Sequence, residues 1–246
     1  MSLTPTDSRV ALVTGAGRRV GRAIALALAA RGMHVVVHYH GSSEGADETV
    51  RLIRQLGGTA DGIQADLRDV SGGDSLIDRS IETAGRLDAL VNSAAVMLRT
   101  PVGETSAAEW DAMFSLNVRA PYFLAQRAAP ALRASRGSVV NIADLAAYET
   151  WPAYVPHGVT KAAIVQMTRG LAHALAPEVR VNAVAPGVVL LPDGWSDADA
   201  ERLRSTTPLR RLGTPEDVAG AVVFLIDADY ITGEVIKVDG GRHVRT

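Results

Sequence analysis

The chain has 246 residues, no cysteine and a formal net charge of −2, and 47% of it is hydrophobic against 21% charged. That composition suits one large α/β domain with a buried core and excludes a disordered protein, a disulfide scaffold, a thiolate nucleophile and a cysteine-ligated zinc site. Lys and Arg are scattered rather than blocked, which leaves no footprint for nucleic acid or an anionic membrane, so the expected partner is a small-molecule substrate.

In chain order, Met1–Asp7 lacks the basic-then-apolar pattern of a signal peptide, and the apolar stretch Ala23–Ala30 is far short of the roughly 20 residues a spanning helix needs. A soluble cytoplasmic protein is expected. Short β-branched runs predict strands near 9–14, 33–39, 59–65, 87–93, 137–142, 180–185 and 234–238. Val35-Val36-Val37 and Val139-Val140 are continuous rather than alternating, as strands covered on both faces should be. Helices are predicted near 21–31, 44–56, 73–84, 107–133, 154–175 and 215–226. Ser106-Ala107-Ala108-Glu109 fits a capping box, and Thr214-Pro215-Glu216-Asp217 supplies an N-cap, a proline at the first helical position and acids in the first turn. The alternation predicts a single doubly wound Rossmann-type domain over 1–246: a seven-stranded, mostly parallel sheet with helices on both faces. The irregular stretch at about 188–208, with Leu190 and Trp195 near its start, is expected to be a substrate lid.

Between the first strand and first helix lies Thr14-Gly15-Ala16-Gly17-Arg18-Arg19-Val20-Gly21. A glycine-rich turn from a buried strand into a helix offers backbone N–H groups and the positive end of a helix dipole to a phosphate, which predicts a nucleotide cofactor. An enzyme selective for NAD usually ends its second strand with Asp or Glu, which binds the ribose 2′-hydroxyl and repels a 2′-phosphate. Here the strand ends His38-Tyr39-His40-Gly41-Ser42-Ser43, with no carboxylate before Glu44. Arg18, His40 and Ser42 can all contact a phosphate, so NADPH is the expected cofactor, with NADH possible. His38 and His40 share a strand face, but no carboxylate cluster accompanies them, and no metal is expected.

Further motifs follow in order: Ala65-Asp66-Leu67, Asn92-Ser93-Ala94-Ala95, Asn117, Asn141-Ile142-Ala143-Asp144, Lys161-Ala162-Ala163, Arg180-Val181-Asn182-Ala183-Val184-Ala185-Pro186-Gly187 and Val238-Asp239-Gly240-Gly241. This set resembles the short-chain dehydrogenase/reductase family over essentially the whole chain. Within it, Arg19 where most relatives carry glycine, His38-Tyr39-His40, and Asp144 where most carry serine are similar to pteridine and dihydromonapterin reductases. Those enzymes usually have arginine where this chain has Gly41, which weakens the phosphate site.

The resemblance implies that Gly15 and Gly21 let the backbone approach the pyrophosphate, that Asp66 and Leu67 meet the adenine, and that Asn92 and Ala94 line the ribose. Arg19, His38, Pro186 and Gly187 join the cofactor set, and Arg19 again, with Asp144, Tyr154, Leu190 and Trp195, the substrate pocket. Asn117 is implied to bend its helix and support a water leading to Lys161, which holds the nicotinamide ribose. The family also implies a homotetramer, consistent with the alanine- and leucine-rich segments 107–133 and 154–175.

One position departs from the pattern. The family places a tyrosine four residues before the lysine, one helical turn away, as proton donor. This chain has His157 there. Tyr154, two turns from Lys161 on the same helix, would lie too far from the hydride-acceptor carbon and reads as pocket wall. A Lys161 cation disfavours imidazolium and Asp144 favours it, so an Asp144–His157 pair is the candidate acid. The expected function is an NADPH-dependent reductase acting on a C=N or C=O bond of a small cyclic substrate, pterin-like above others. The alternatives are an NADP-binding protein with impaired or lost catalysis and a ketoreductase of another small carbonyl compound.

Overall fold

A computed structural model of the protein describes residues 8–191 and 196–244. Its strands are β1 (Val10–Val13), β2 (His34–Tyr39), β3 (Ala60–Gln64), β4 (Ala89–Asn92), β5 (Ser138–Ile142), β6 (Arg180–Pro186) and β7 (Val235–Val238). They form one sheet in the order β3-β2-β1-β4-β5-β6-β7, and every recorded pairing is parallel. Parallel neighbours need crossover connections, and helices supply them: α1 (Arg19–Ala30), α2 (Ser43–Gln55), α3 (Val70–Ala84), α4 (Ala107–Phe114), α5 (Ala120–Ser135), α6 (Val155–Leu175), α7 (Asp197–Thr206) and α8 (Pro215–Asp227).

Side-chain alternation along the buried strands divides the core into two layers. On one face Ala11, Val13, Val35 and Val37 pack with Ile24 and Leu28 of α1 and Val218, Val222 and Leu225 of α8. On the other, Val10, Leu12, Val36, Leu90 and Val139 meet Leu76 and Ile77 of α3, Leu124 and Leu132 of α5, and Leu175 of α6. Because both faces are covered, β1 is buried at all four positions, which accounts for its unbroken Val-Ala-Leu-Val run. At the amino end of the sheet, buried Asp88 accepts the Val10 N–H at 2.8 Å and pairs with Arg86 at 2.6 Å, tying the start of β1 to the start of β4.

The predicted capping box of Ser106 with Glu109 is present; the expected N-cap Thr214 also forms one with Asp217, and a third, Ser196 with Asp199, starts α7. Helix α3 begins at Val70, earlier than the expected 73, because the Asp69 carboxylate caps the Ser71 N–H. The helix expected over 107–133 is interrupted: a π-helical turn at Ser115–Arg119 separates α4 from α5. Tyr154 was expected on the same helix as Lys161. It instead ends a short 3₁₀ turn, Pro152–Tyr154, and α6 starts after it with Pro156 in its first turn. In the expected lid, α7 fills much of the carboxyl half, and Trp195 lies outside the described residues.

The strand order reverses between β1 and β4, which opens a crevice at the carboxyl ends of the strands. The glycine-rich loop after β1 and the segments after β2, β3, β4, β5 and β6 all reach that edge. No described helix is long and apolar enough to cross a membrane.

Candidate active site

The glycine-rich loop is held from behind. Gly15 adopts φ +65°, and a Cβ added there would come within 3.0 Å of the Ala94 main chain, so glycine serves both backbone shape and close approach. A Cβ on Gly21 would lie 2.3 Å from the Gly15 carbonyl oxygen, which forces glycine where α1 turns under the loop. Thr14 closes the other side, its hydroxyl accepting the N–H groups of Ser93 and Ala94 at 2.9 and 3.0 Å. The threonine hydroxyl thereby joins the loop to the end of β4, a role its sequence neighbourhood did not disclose.

His38 is placed differently from the expectation that it contacts the cofactor. Its side chain is only 2% exposed, behind the loop. The Gly15 N–H donates to His38 Nδ1 at 3.1 Å, and His38 Nε2 lies 3.2 Å from the Ala65 carbonyl oxygen. An imidazole that accepts at Nδ1 and faces a carbonyl at Nε2 is neutral with its proton on Nε2. Burial lowers its pKa to about 4, with the Ala65 carbonyl opposing the shift, His40 adding to it and Asp66 opposing it. His38 therefore shapes the loop rather than touching what the loop binds. The Ala16 N–H also turns inward, to the His38 carbonyl at 2.9 Å. Among the described residues, the N–H groups of Gly17 and Arg18 remain without partners, as do the exposed side chains of Arg18 and Arg19.

Arg19 itself stands at φ +53°, a left-handed conformation that costs an L-residue roughly 1–2 kcal/mol. At the carboxyl end of β2, His40 is exposed and Ser42 half-buried ahead of α2, and the first carboxylate is Glu44, exposed in the first turn of α2. Asp66 follows β3 and is gripped by Arg68, with guanidinium to carboxylate distances of 2.7, 3.0 and 3.2 Å; this pairing holds its pKa down to about 2. The side chain of Leu67 is packed in the core, so any adenine contact by Leu67 is confined to its main chain.

The Asn92 side chain, implied to line the ribose, is held from within through its amide nitrogen, and its Oδ1 has no partner among the described residues. The residue is buried and its amide donates to Asn141 Oδ1 at 2.9 Å, while Asn141 donates to Thr168 on α6 at 3.0 Å. The pair is an internal brace between β4, β5 and α6. Pro186 ends β6 buried, and the Gly187 N–H bonds Val238 at 2.9 Å; a Cβ on Gly187 would press on Asp239 at 2.8 Å. Leu190, at the start of the expected lid, is 36% exposed.

Around the end of β5 stand the groups able to move a proton. Asp144 Oδ1 accepts the Ala146 N–H at 2.8 Å, fixing the carboxylate, and its Oδ2 lies 3.7 Å from His157 Nε2. The His157 side chain is 3% exposed against 26% for Asp144, and neither imidazole nitrogen has a hydrogen-bond partner among the described residues. Lys161, one turn further along α6, is 5% exposed and donates to the Ile142 carbonyl at 2.9 Å. Burial lowers the Lys161 pKa, and the Asp144 charge partly restores it. Tyr154 is half-exposed and makes an edge contact with Trp151 at the rim.

Asn117 occupies the π turn, as a helix-distorting residue should, but its side chain is fully engaged. Its Oδ1 accepts the Val96 N–H at 2.9 Å, and its Nδ2 donates to the Val96 carbonyl at 2.8 Å and to Thr160 Oγ1 at 3.2 Å. Thr160 in turn donates to the His157 carbonyl at 2.7 Å, so the turn positions the segment of α6 that carries His157 and Lys161.

A family profile described as "Enoyl-(Acyl carrier protein) reductase" matches residues 15–243. The 3-oxoacyl-[acyl-carrier-protein] reductase of Synechocystis is 38% identical over 97% of this chain and 98% of its own length. A ketoacyl reductase proposed for the granaticin polyketide synthase of Streptomyces violaceoruber is 38% identical over 99% of this chain and 100% of its own. A crystal structure from Sinorhizobium meliloti, titled as a proposed short-chain alcohol dehydrogenase, superposes with a TM-score of 0.92 at 37% identity and covers 97% of each chain. Family profile, relatives and fold agree: the chain belongs to the short-chain dehydrogenase/reductase family of oxidoreductases.

Proposed function

We propose that the protein is an NADPH-dependent reductase that delivers hydride to a C=N or C=O bond of a small cyclic substrate, with a cyclic imine such as a dihydropterin favoured. The observation that carries this reading is the buried His157, 3.7 Å from Asp144 and one helical turn before Lys161, at the carboxyl end of β5. Residues of the loop fit a nicotinamide dinucleotide. Among the described residues, Gly17 and Arg18 offer unpartnered N–H groups at the amino end of α1 and Arg18 and Arg19 are cations without partners, and no carboxylate ends β2. When bound, the reduced cofactor supplies hydride.

The protein's own residues handle the accompanying proton. Asp144 is the more exposed member of its pair, with His157 3.7 Å behind it; together they would donate one proton to the substrate nitrogen or oxygen and regain it from water. Lys161 sets the electrostatics from the next turn. A C=N nitrogen is basic enough to be protonated before hydride arrives, whereas a carbonyl oxygen is not, so a site without a tyrosine serves imines better than ketones. Exposed Trp110 and Tyr122 on α4 and α5, with Val155 and Val159 on α6, support assembly as a homotetramer.

The test is a panel of dihydropterins, cyclic imines and simple ketones assayed with NADPH and NADH, using wild type and His157→Tyr. Imine turnover by wild type, and a large gain in ketone turnover in the variant, are expected. Good reduction of simple ketones with no action on pterins or imines would refute the proposal. It would favour the second reading, a ketoreductase, which rests on the relatives named for ketoacyl and oxoacyl reduction. Nucleotide binding with no hydride transfer to any substrate would leave a binding protein.

A further inference from the structure

We propose that Arg68 is a specificity determinant that receives a phosphate monoester on the adenosine ribose at the carboxyl end of β2. This deepens the cofactor reading above and rests on it.

In a doubly wound sheet the adenosine ribose sits at the carboxyl end of the second strand, where an acid selects the free 2′-hydroxyl and a nearby arginine accommodates a 2′-phosphate. Here β2 runs into His40 and then Gly41, which has no side chain to offer. The positive charge arrives from the neighbouring strand instead. Arg68, four residues past the end of β3, places Nη2 at 3.4 Å from His40 Nε2. Both partners are anchored. The His40 carbonyl accepts from Gln64 Nε2 at 2.8 Å, and the Arg68 carbonyl accepts from Arg119.

The guanidinium is held in place before any ligand arrives. Its Nε and Nη2 both reach the Asp66 carboxylate, and the Arg68 N–H adds a fourth contact at 3.0 Å. A guanidinium has five N–H donors; those on Nη1 have no partner among the described residues, and one on Nη2 faces His40. An arginine already fixed by a carboxylate loses little freedom when it binds a second anion, which is where it differs from a lysine. Asp66 offsets part of the arginine charge, so a dianion also needs Arg18 and His40. Both groups are exposed; among the described residues Arg18 pairs with no carboxylate, and His40 lies within the field of Asp66.

The bland alternative is an exposed ion pair, Arg68 with Asp66, that binds nothing; such pairs contribute little. A second alternative is an arginine that stacks on adenine. Calorimetric titration of 2′,5′-ADP and of 5′-ADP separates the three on wild type, Arg68→Gln and Arg68→Lys. Arg68 is exposed, and unchanged circular dichroism would verify that each variant is folded. Arg68→Gln should weaken 2′,5′-ADP at least about tenfold, or 1.4 kcal/mol, while 5′-ADP changes by less than about twofold. Arg68→Lys, with charge but no fork, should recover only part of the loss. Equal weakening of both nucleotides assigns Arg68 to adenine and overturns the proposal; no weakening of either reduces it to a surface ion pair and also overturns it. If wild type binds neither nucleotide, the cofactor reading falls and the Arg68 assignment with it. Tight wild-type binding with an indifferent Arg68→Gln removes the assignment alone.

Discussion

Replacing His38 with leucine removes a clamp while keeping an apolar side chain of similar bulk in its place. Two hydrogen bonds disappear, from the Gly15 N–H at 3.1 Å and to the Ala65 carbonyl at 3.2 Å. Gly15 and Ala65 are each half-buried, so each orphaned group costs toward the lower end of the usual 1–3 kcal/mol range, about 2 kcal/mol together. In a chain of this length that lowers Tm by about 4–8 °C at pH 7.5. The pH dependence is the sharper signature. His38 titrates at about 4 when folded against 6.5 when unfolded, so between those values the unfolded chain binds more protons and stability falls as pH falls. Wild type therefore carries a His38 contribution fully present above pH 6.5 and lost progressively toward pH 4, about 3 kcal/mol in all. The variant lacks it. Charges that bear on the imidazole are His40 just past the end of β2 and Asp66 beyond β3. From α1, Arg22 is committed to Gly17, Gly45 and Thr49. Urea unfolding of wild type, His38→Leu and His38→Asn at half-unit steps from pH 4.5 to 7.5 reads the difference. Since carboxylates and His34 titrate alike in all three proteins, parallel stability curves for wild type and His38→Leu would refute the assignment.

Lys161→Met should abolish hydride transfer, by at least about a hundredfold, while leaving Tm unchanged or higher, because it deletes a cation whose burial is already unfavourable; single-turnover NADPH oxidation and calorimetry test both halves. Asn117→Ala leaves the Val96 N–H and carbonyl unpaired, while Thr160 keeps its bond to the His157 carbonyl, and should cost about 2–3 kcal/mol in a urea titration, with turnover falling as the π turn relaxes. Gly21→Ala sets a Cβ 2.3 Å from the Gly15 carbonyl, main chain against main chain, and should weaken NADPH binding by at least about tenfold in a fluorescence titration while the circular dichroism spectrum is kept.

The strands and most helices were legible because their signals are local: continuous valine runs for strands buried on both faces, and capping residues for helix starts. Pro156 was such a signal for the start of α6, and giving it full weight would have placed Tyr154 ahead of the helix. The break at 115–119 contains neither glycine nor proline; Pro121 in the first turn of α5 was its local marker, the family resemblance implied a bend at Asn117, and the turn exists because Asn117 finds Val96 from a distant loop. His38 reads in sequence as a polar residue near a ligand edge. Its clamp depends on β1, β2 and β3 lying side by side in register, which brings Gly15 and Ala65 to opposite sides of one ring. Leu67 and Asp66 are adjacent, yet one enters the core and the other stays at the surface; the apolar character of Leu67 was the available clue. Arg68 gave no sequence signal, because its interest comes from His40 on the adjacent strand.

The two ends of the sheet bear unequal loads. At the carboxyl edge stand a left-handed arginine, a buried lysine and a histidine with both nitrogens unpartnered among the described residues, each unfavourable to the fold. At the amino edge, buried Asp88 answers the Val10 N–H and Arg86 in one arrangement. Mutational drift at the first edge is therefore free to explore new substrates only as far as reserves held at the second permit, and reinforcing Asp88 and its neighbours would widen the range of active-site variants that still fold.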